Sequence, residues 1–337
     1  MPFMAPTAQT RTRLRLALAL AAASLTMGLA ACSPEDPPAP RPSPQVSEPT
    51  APQSSEATTE PSPEPEAAAV GPGDFRTAVA LDAVRHLAGT IGPREATSPA
   101  YVRAARWVGR RLRGLGLTVL AQPVAVPAGN SWGVPVPAGR SVNVIAHPPG
   151  FVAGQPHLVV GAHLDTVPQA PGAEDNASGI GVMLAVAEAT ATRRTRLPVV
   201  FVAFGAEEPR GETDADHHYG SRTYVQSLPP GERDAVAGML SLDRVGVGDV
   251  VPIGSALEGA DRAADRVTRA AGAADVPFVR EVNRSSDHWQ FVRAGLPGVR
   301  LGSTPYAGYH SPQDVPGIIE PRQLERVGRV VLQWLAP

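Results

Sequence analysis

The sequence predicts an α/β protein: a single globular domain whose twisted, mixed but mostly parallel β-sheet is flanked by helices on both faces. Short apolar, β-branched runs such as VVFVAFG at 199–205 alternate with longer segments whose apolar residues recur at helical spacing. Those runs are too uniformly apolar for strands with one wet face, and they suit parallel strands covered on both sides. Polar residues also collect just past the ends of these strands, where open α/β sheets hold ligands.

The domain is expected to occupy residues 73–337 of a 337-residue chain. Residues 1–32 read as an export signal, with Arg11, Arg13 and Arg15 ahead of an apolar stretch, Leu16 to Leu29, too short to span a bilayer. Leu29-Ala30-Ala31-Cys32 resembles a bacterial lipobox, which implies that Cys32 becomes the lipidated first residue; an ordinary signal peptide cut nearby is the alternative. Cys32 is the only cysteine, so no disulfide within the chain can staple the domain. Residues 33–72 hold twelve prolines, seven acids, one arginine and no aromatic residue, too little apolar surface to offset chain ordering. They are expected to be a disordered tether, and the protein an exported, membrane-anchored lipoprotein on the extracytoplasmic side.

Within the domain, residues 74–89 and 98–116 show helical spacing, the second helix opened by Ser98 and Pro99 and closed by Gly114 and Gly116. Residues 118–126 and 141–147 alternate as strands, and 157–165 is a short buried strand ending in polar residues. Asn176 to about Ala191 reads as helix, 199–205 as strand, 220–228 as helix and 237–243 as strand. A helix over 255–272, a short strand over 298–302 and an amphipathic helix over 323–335 complete the chain.

Net charge is −2 and no basic cluster is interleaved with aromatics, which argues against a nucleic-acid partner. Every basic residue is arginine, so no Gly-Lys-Ser/Thr phosphate loop exists, and Gly179–Gly181 lacks the third glycine of a dinucleotide fingerprint. GNSWG at 129–133 matches a nucleophile elbow, but Pro135 and Pro137 forbid the helix that must follow, which leaves Ser131 in a loop.

The chemistry gathers at one sheet edge. His163 and Asp165 follow one strand, Asp175 begins a helix, Glu207 and Glu208 follow another strand, Asp243 ends a third, and Tyr309 and His310 occupy a late loop. So many carboxylates repel or desolvate one another unless cations sit among them. Two zinc ions, about 3.5 to 4 Å apart, accept imidazole nitrogen and carboxylate oxygen and can share a bridging carboxylate and a water. Their four positive charges balance Asp175, Glu208, Asp243 and a hydroxide without a neighbouring cation. Because successive side chains of an extended chain point apart, Glu208 can face a metal while Glu207 faces the substrate side and takes a proton from that water.

HLD, EDNASG, EE, SLD and YHSPQD, in that order over residues 75–337, resemble the di-zinc aminopeptidases of the bacterial leucyl aminopeptidase and aminopeptidase Y family. The resemblance implies a metallo-exopeptidase acting on peptide substrates. It implies that His163 and Asp243 bind one zinc, that Glu208 and His310 bind the other, and that Asp175 bridges. It further implies that Glu207 is the general base, that Asp165 orients His163, and that Tyr309 donates to the oxyanion. The sequence departs from the family at Arg244, where an apolar residue is common, and in the long PRGETDADHHY segment, whose His217 and His218 could bind a stray metal. Tyr306 could replace Tyr309, and His310 could instead bond Asp314. Asp287 and His288 look like the family's Asp-His dipeptide, with a helix cap by Ser286 or Asp287 as the alternative. His86, His147 and His157 lie away from these motifs. The competing functions are a one-zinc acyl transferase resembling glutaminyl cyclases, a non-catalytic binding domain on the same scaffold, and a serine hydrolase through Ser131.

Overall fold

The computed structural model describes residues 67–337. The export signal, Cys32 and residues 33–66 of the expected tether lie outside the described residues. The last residues assigned to the tether belong instead to the domain: Val70 is buried, its amide donates to Arg194 O at 2.9 Å, and Arg194 N donates to Ala68 O at 2.9 Å. Composition placed these residues with the prolines, but one buried valine and a two-way backbone pairing hold them.

Among the described residues ten strands form: β1 Thr118–Val126, β2 Gly129–Ser131, β3 Val134–Val136, β4 Gly139–His147, β5 His157–His163, β6 Val199–Phe204, β7 Val236–Asp243, β8 Val251–Ser255, β9 Phe278–Val282 and β10 Gly298–Gly302. The helices are α1 Thr77–Val84, α2 Pro99–Gly114, α3 Gly179–Thr190, α4 Tyr219–Ser227, α5 Pro230–Asp234, α6 Arg262–Ala273, α7 His288–Arg293 and α8 Pro321–Leu335. Eight strands make one sheet in the order β1-β4-β6-β5-β7-β10-β8-β9, while β2 and β3 pair separately as a hairpin. The pairs β6/β5, β5/β7, β7/β10 and β8/β9 are parallel, and β1/β4, β4/β6 and β10/β8 are antiparallel.

Two cores cover the two faces, and the two-residue period of the central strands divides between them. Leu158, Val160 and Ala162 of β5, with Phe201 and Ala203 of β6, pack under α1, α2, α3, α6 and α8. Val159 of β5, with Val200, Val202 and Phe204 of β6, packs with Tyr224 of α4 and Phe291 of α7. Each fully buried valine or leucine is worth about 1.5 to 3 kcal/mol, so the uniform apolarity that marked these strands also holds them. The expected start of α2 is observed: Ser98 Oγ accepts from Tyr101 N at 3.1 Å and Pro99 occupies the first turn.

The sequence reading missed β8 and β9. The β9 strand is an edge strand with Phe278, Val279 and Val282 exposed, so the inward-outward contrast that marks a strand is absent. Ser131 ends β2 rather than lying in a loop, and the chain turns into β3 with no helix behind it. The nucleophile-elbow alternative therefore has no elbow.

Candidate metal centre

Parallel pairing brings the site together. Strands β6, β5 and β7 are neighbours running the same way, so the residues at their ends emerge side by side. His163 ends β5, Asp243 ends β7, and Glu207 and Glu208 lie just past β6; all four are buried. Asp175 lies in the segment entering α3, and His310 comes from the loop after β10 in a left-handed conformation at φ 52°.

Asp175 is the centre of the arrangement. Its Oδ1 lies 3.1 Å from His163 Nε2, and its Oδ2 lies 3.1 Å from His310 Nε2. Asp243 Oδ1 lies 3.7 Å from His163 Nε2 on one side, and Glu208 Oε2 lies 3.3 Å from His310 Nε2 on the other. One carboxylate therefore faces two imidazoles, each shared with a further carboxylate. Ligand atoms of His163, Asp175 and Glu208 lie within 4.8 Å of one another, as do those of His163, Glu207 and Asp243.

The electrostatics are those of a centre short of positive charge. Burial pushes the Glu208 carboxyl well above its ordinary value, and Asp175 and Glu207 push it further. Burial also pushes Asp175 upward, but His163 and His310 outweigh it and hold Asp175 well below the usual carboxylate range. Burial disfavours the charged imidazole of His163, yet Glu207 and the surrounding carboxylates raise its pKa well above normal. Glu208 Oε1 and His310 Nδ1 are buried without hydrogen-bond partners. His163 Nδ1 lies 3.2 Å from the Asp165 carbonyl, which can only accept, so that nitrogen carries a proton and Nε2, turned toward Asp175 and Asp243, is the atom left to meet the acids or to ligate a metal. Imidazole nitrogen and carboxylate oxygen converging in a buried pocket fit zinc.

The support behind these donors differs from the expectation for Asp165. Its carboxylate lies 3.8 Å from His163 Nδ1, and its hydrogen bonds come instead from Glu207 N to Oδ1 at 3.0 Å and Glu208 N to Oδ2 at 3.1 Å. The carbonyl of Asp165 orients the histidine while its side chain shapes the turn carrying the glutamate pair. Asp314 does the same for Asp175, accepting from Glu174 N at 2.7 Å and Asp175 N at 3.1 Å. Tyr306 Oη also donates to Asp314, at 2.9 Å, so Tyr306 faces this support rather than the donors. Asp314 is thus occupied elsewhere, and His310 turns to Asp175 and Glu208.

Tyr309 stacks on His310 with ring centroids 3.7 Å apart, and the Arg244 guanidinium lies 4.5 Å over its ring. Asp287 caps no helix: both its carboxylate oxygens are buried without hydrogen-bond partners, and burial with the nearby Glu207 charge pushes its pKa up to about 7.

Two residues escaped the sequence reading. Arg300, buried on β10, places Nη2 3.0 Å from Asp243 Oδ1, contrary to the expectation that no neighbouring cation is needed. An arginine inside the short apolar strand GVRLG was the available signal. His218, read with His217 as a place where a stray metal could bind, is buried with Nε2 3.0 Å from Glu207 Oε1. Glu207, His217, His218, Arg244 and Tyr309 are among the residues lining a cavity of about 290 Å³ that opens onto the donors.

Comparison with known proteins gives this geometry a context. Residues 143–335, more than half of the chain, match the peptidase family M28. An aminopeptidase of Pseudomonas aeruginosa is 37% identical over 89 residues, which are 26% of this chain and 15% of that protein, so the chain corresponds to a minor part of that relative's length. The solved structure of a zinc aminopeptidase from Bacillus subtilis superposes with a TM-score of 0.69 at 19% identity, covering 77% of this chain and 94% of that one. A glutaminyl cyclase from Fimbriiglobus ruber superposes with a TM-score of 0.66 at 24% identity, covering 77% and 95%. At these identities the likeness to both solved structures concerns the fold.

Proposed function

The chain belongs to peptidase family M28, and from that premise we propose that it is a zinc-dependent aminopeptidase releasing N-terminal residues from peptides. The observation that carries the reading is Asp175, whose two carboxylate oxygens face two different imidazoles at 3.1 Å each. His163 and Asp243 would hold one zinc, Glu208 and His310 the other, with Asp175 between them. When bound, the ions would supply Lewis acidity, polarising the scissile carbonyl and lowering the pKa of a water to roughly 7.

The chain's own residues do the rest. Glu207 is buried beside His163 and His218; burial pushes its carboxyl up, but these two imidazoles more than offset that and keep it ionised below its ordinary value. It is therefore ready to accept a proton from the attacking water and return it to the departing amine. Tyr309, half-exposed at the cavity wall and braced between His310 and Arg244, offers its hydroxyl to the developing oxyanion. Asp165 holds the glutamate pair through its backbone amides. We further propose attachment to the extracytoplasmic face of the membrane through a lipidated Cys32.

The test pairs zinc content with hydrolysis of a panel of aminoacyl amides. Glu207→Gln should keep its zinc and lose about 10²- to 10⁴-fold in kcat, the usual contribution of a general base. Full turnover in that variant would overturn the reading. A glutaminyl-cyclase-like acyl transfer is the second reading, favoured by Arg300 already neutralising Asp243 on one side of the site. One zinc per chain together with cyclisation of N-terminal glutamine would select it.

A further inference from the structure

The segment between Glu208 and α4, unused in the proposed chemistry, carries a histidine back to the general base. Arg210 anchors it: its guanidinium pairs with Glu95 and donates to Pro137 O at 2.9 Å, and its amide donates to Asp216 O at 2.8 Å. The chain then doubles back, His218 N donating to Glu207 O at 2.9 Å and Tyr219 N to Ala206 O at 2.8 Å. Gly220 permits this approach, since a Cβ there would lie 2.2 Å from Gly205 O. His218 itself takes φ 57°, a left-handed conformation that L residues adopt only where the surroundings impose it.

Fixed in this way, the imidazole sets Nε2 3.0 Å from Glu207 Oε1, with both side chains buried. The contact has ion-pair distance without hydrogen-bond alignment, and His218 Nδ1 is also unpartnered, as are both carboxylate oxygens of Asp287. Burial pushes the His218 pKa down, but Glu207 and Asp287 more than restore it, so the ring is attracted by a carboxylate other than its direct partner.

We propose that His218 is a positioning residue for Glu207: it holds one carboxylate oxygen of the base so that the other faces the cavity. The inference rests on the reading of Glu207 as general base given above. A glutamate side chain has three rotatable bonds, and near Glu208 and Asp243 an unheld carboxylate swings away from like charge. A misplacement of about 1 Å is enough to cost on the order of 10²-fold in rate.

The experiment compares zinc-loaded wild type with His218→Leu, which fills similar space without a donor, with His218→Gln, which restores one, and with each change in a Glu207→Gln background. His218→Leu is expected to lower kcat by about 10- to 100-fold with KM, zinc content and melting temperature near wild type. His218→Gln should recover most of that loss. In the Glu207→Gln background, His218→Leu should cost nothing further, because a residue acting through the base has no separate contribution once the base is gone. Unchanged kcat in His218→Leu, no recovery in His218→Gln, or losses that multiply in the double variant would each overturn the proposal. If His218→Leu loses zinc or melts early, His218→Gln and the double-variant comparison decide. A Glu207→Gln enzyme with full activity would instead sink the underlying base assignment.

Discussion

The two halves of the proposed metal centre are built alike and charged differently. On one side, Asp243 shares His163 with Asp175 and is also met by Arg300 at 3.0 Å and Arg244 at 3.9 Å. Burial favours its neutral form, but Arg300 and His163 hold it well below the ordinary carboxylate range. On the other side, Glu208 shares His310 with Asp175, and among the described residues no arginine pairs with it. It is held well above the ordinary range by burial and by its acidic neighbours. The chain thus meets one half with its own guanidinium, while on the proposed reading the other half is left to a bound cation.

Asp175→Asn attacks what the halves share. It removes charge between two imidazoles, and both zinc uptake and peptidase turnover should be lost together, as measured by elemental analysis and amide hydrolysis. Arg300→Leu attacks the difference. Removing one partner of a buried pair typically costs about 3 to 5 kcal/mol, to be read from denaturant unfolding of the metal-free protein. Added zinc should restore much of that loss by replacing the guanidinium as counter-charge to Asp243. A variant as stable as wild type without metal would erase the asymmetry.

A third test lies on the arginine side. His288 is buried with Nε2 2.8 Å from Asn283 O, and burial lowers its pKa to about 4. The unfolded chain therefore binds a proton there below about pH 6.5 while the folded one does not. Stability from this group is present above pH 6.5 and is lost as the pH falls toward 4, by roughly 3 kcal/mol in all. His288→Gln should flatten that part of the pH–stability curve. The smallest effect belongs to Asp165→Asn, which leaves one carbonyl oxygen for two backbone donors and should lower kcat about 10- to 100-fold with the fold retained.

The legible parts of the molecule are those where one residue type serves one purpose. Uniformly apolar β5 and β6 announced buried parallel strands, and the acids and histidines beyond them announced a shared site because no uncharged surroundings could hold them. What escaped depended on partners distant in sequence. Nothing near Arg300 reveals that it meets Asp243, 57 positions away, across the β7/β10 register. His218 lies in an acidic, loop-like stretch, and only the backbone return to Glu207 turns it inward. The carboxylate of Asp165 was assigned to the nearest histidine, whereas its partners are two amides more than forty residues on. Strand β9 failed for the opposite reason, since its exposed apolar residues erase the alternation that pattern reading needs.

The most direct measurement is calorimetric titration of zinc into the metal-free chain, run beside Glu207→Gln and Asp175→Asn. Saturable uptake that is shared by wild type and Glu207→Gln and abolished in Asp175→Asn is the expected result. No uptake by wild type, or uptake by Asp175→Asn equal to it, would contradict a centre built around Asp175.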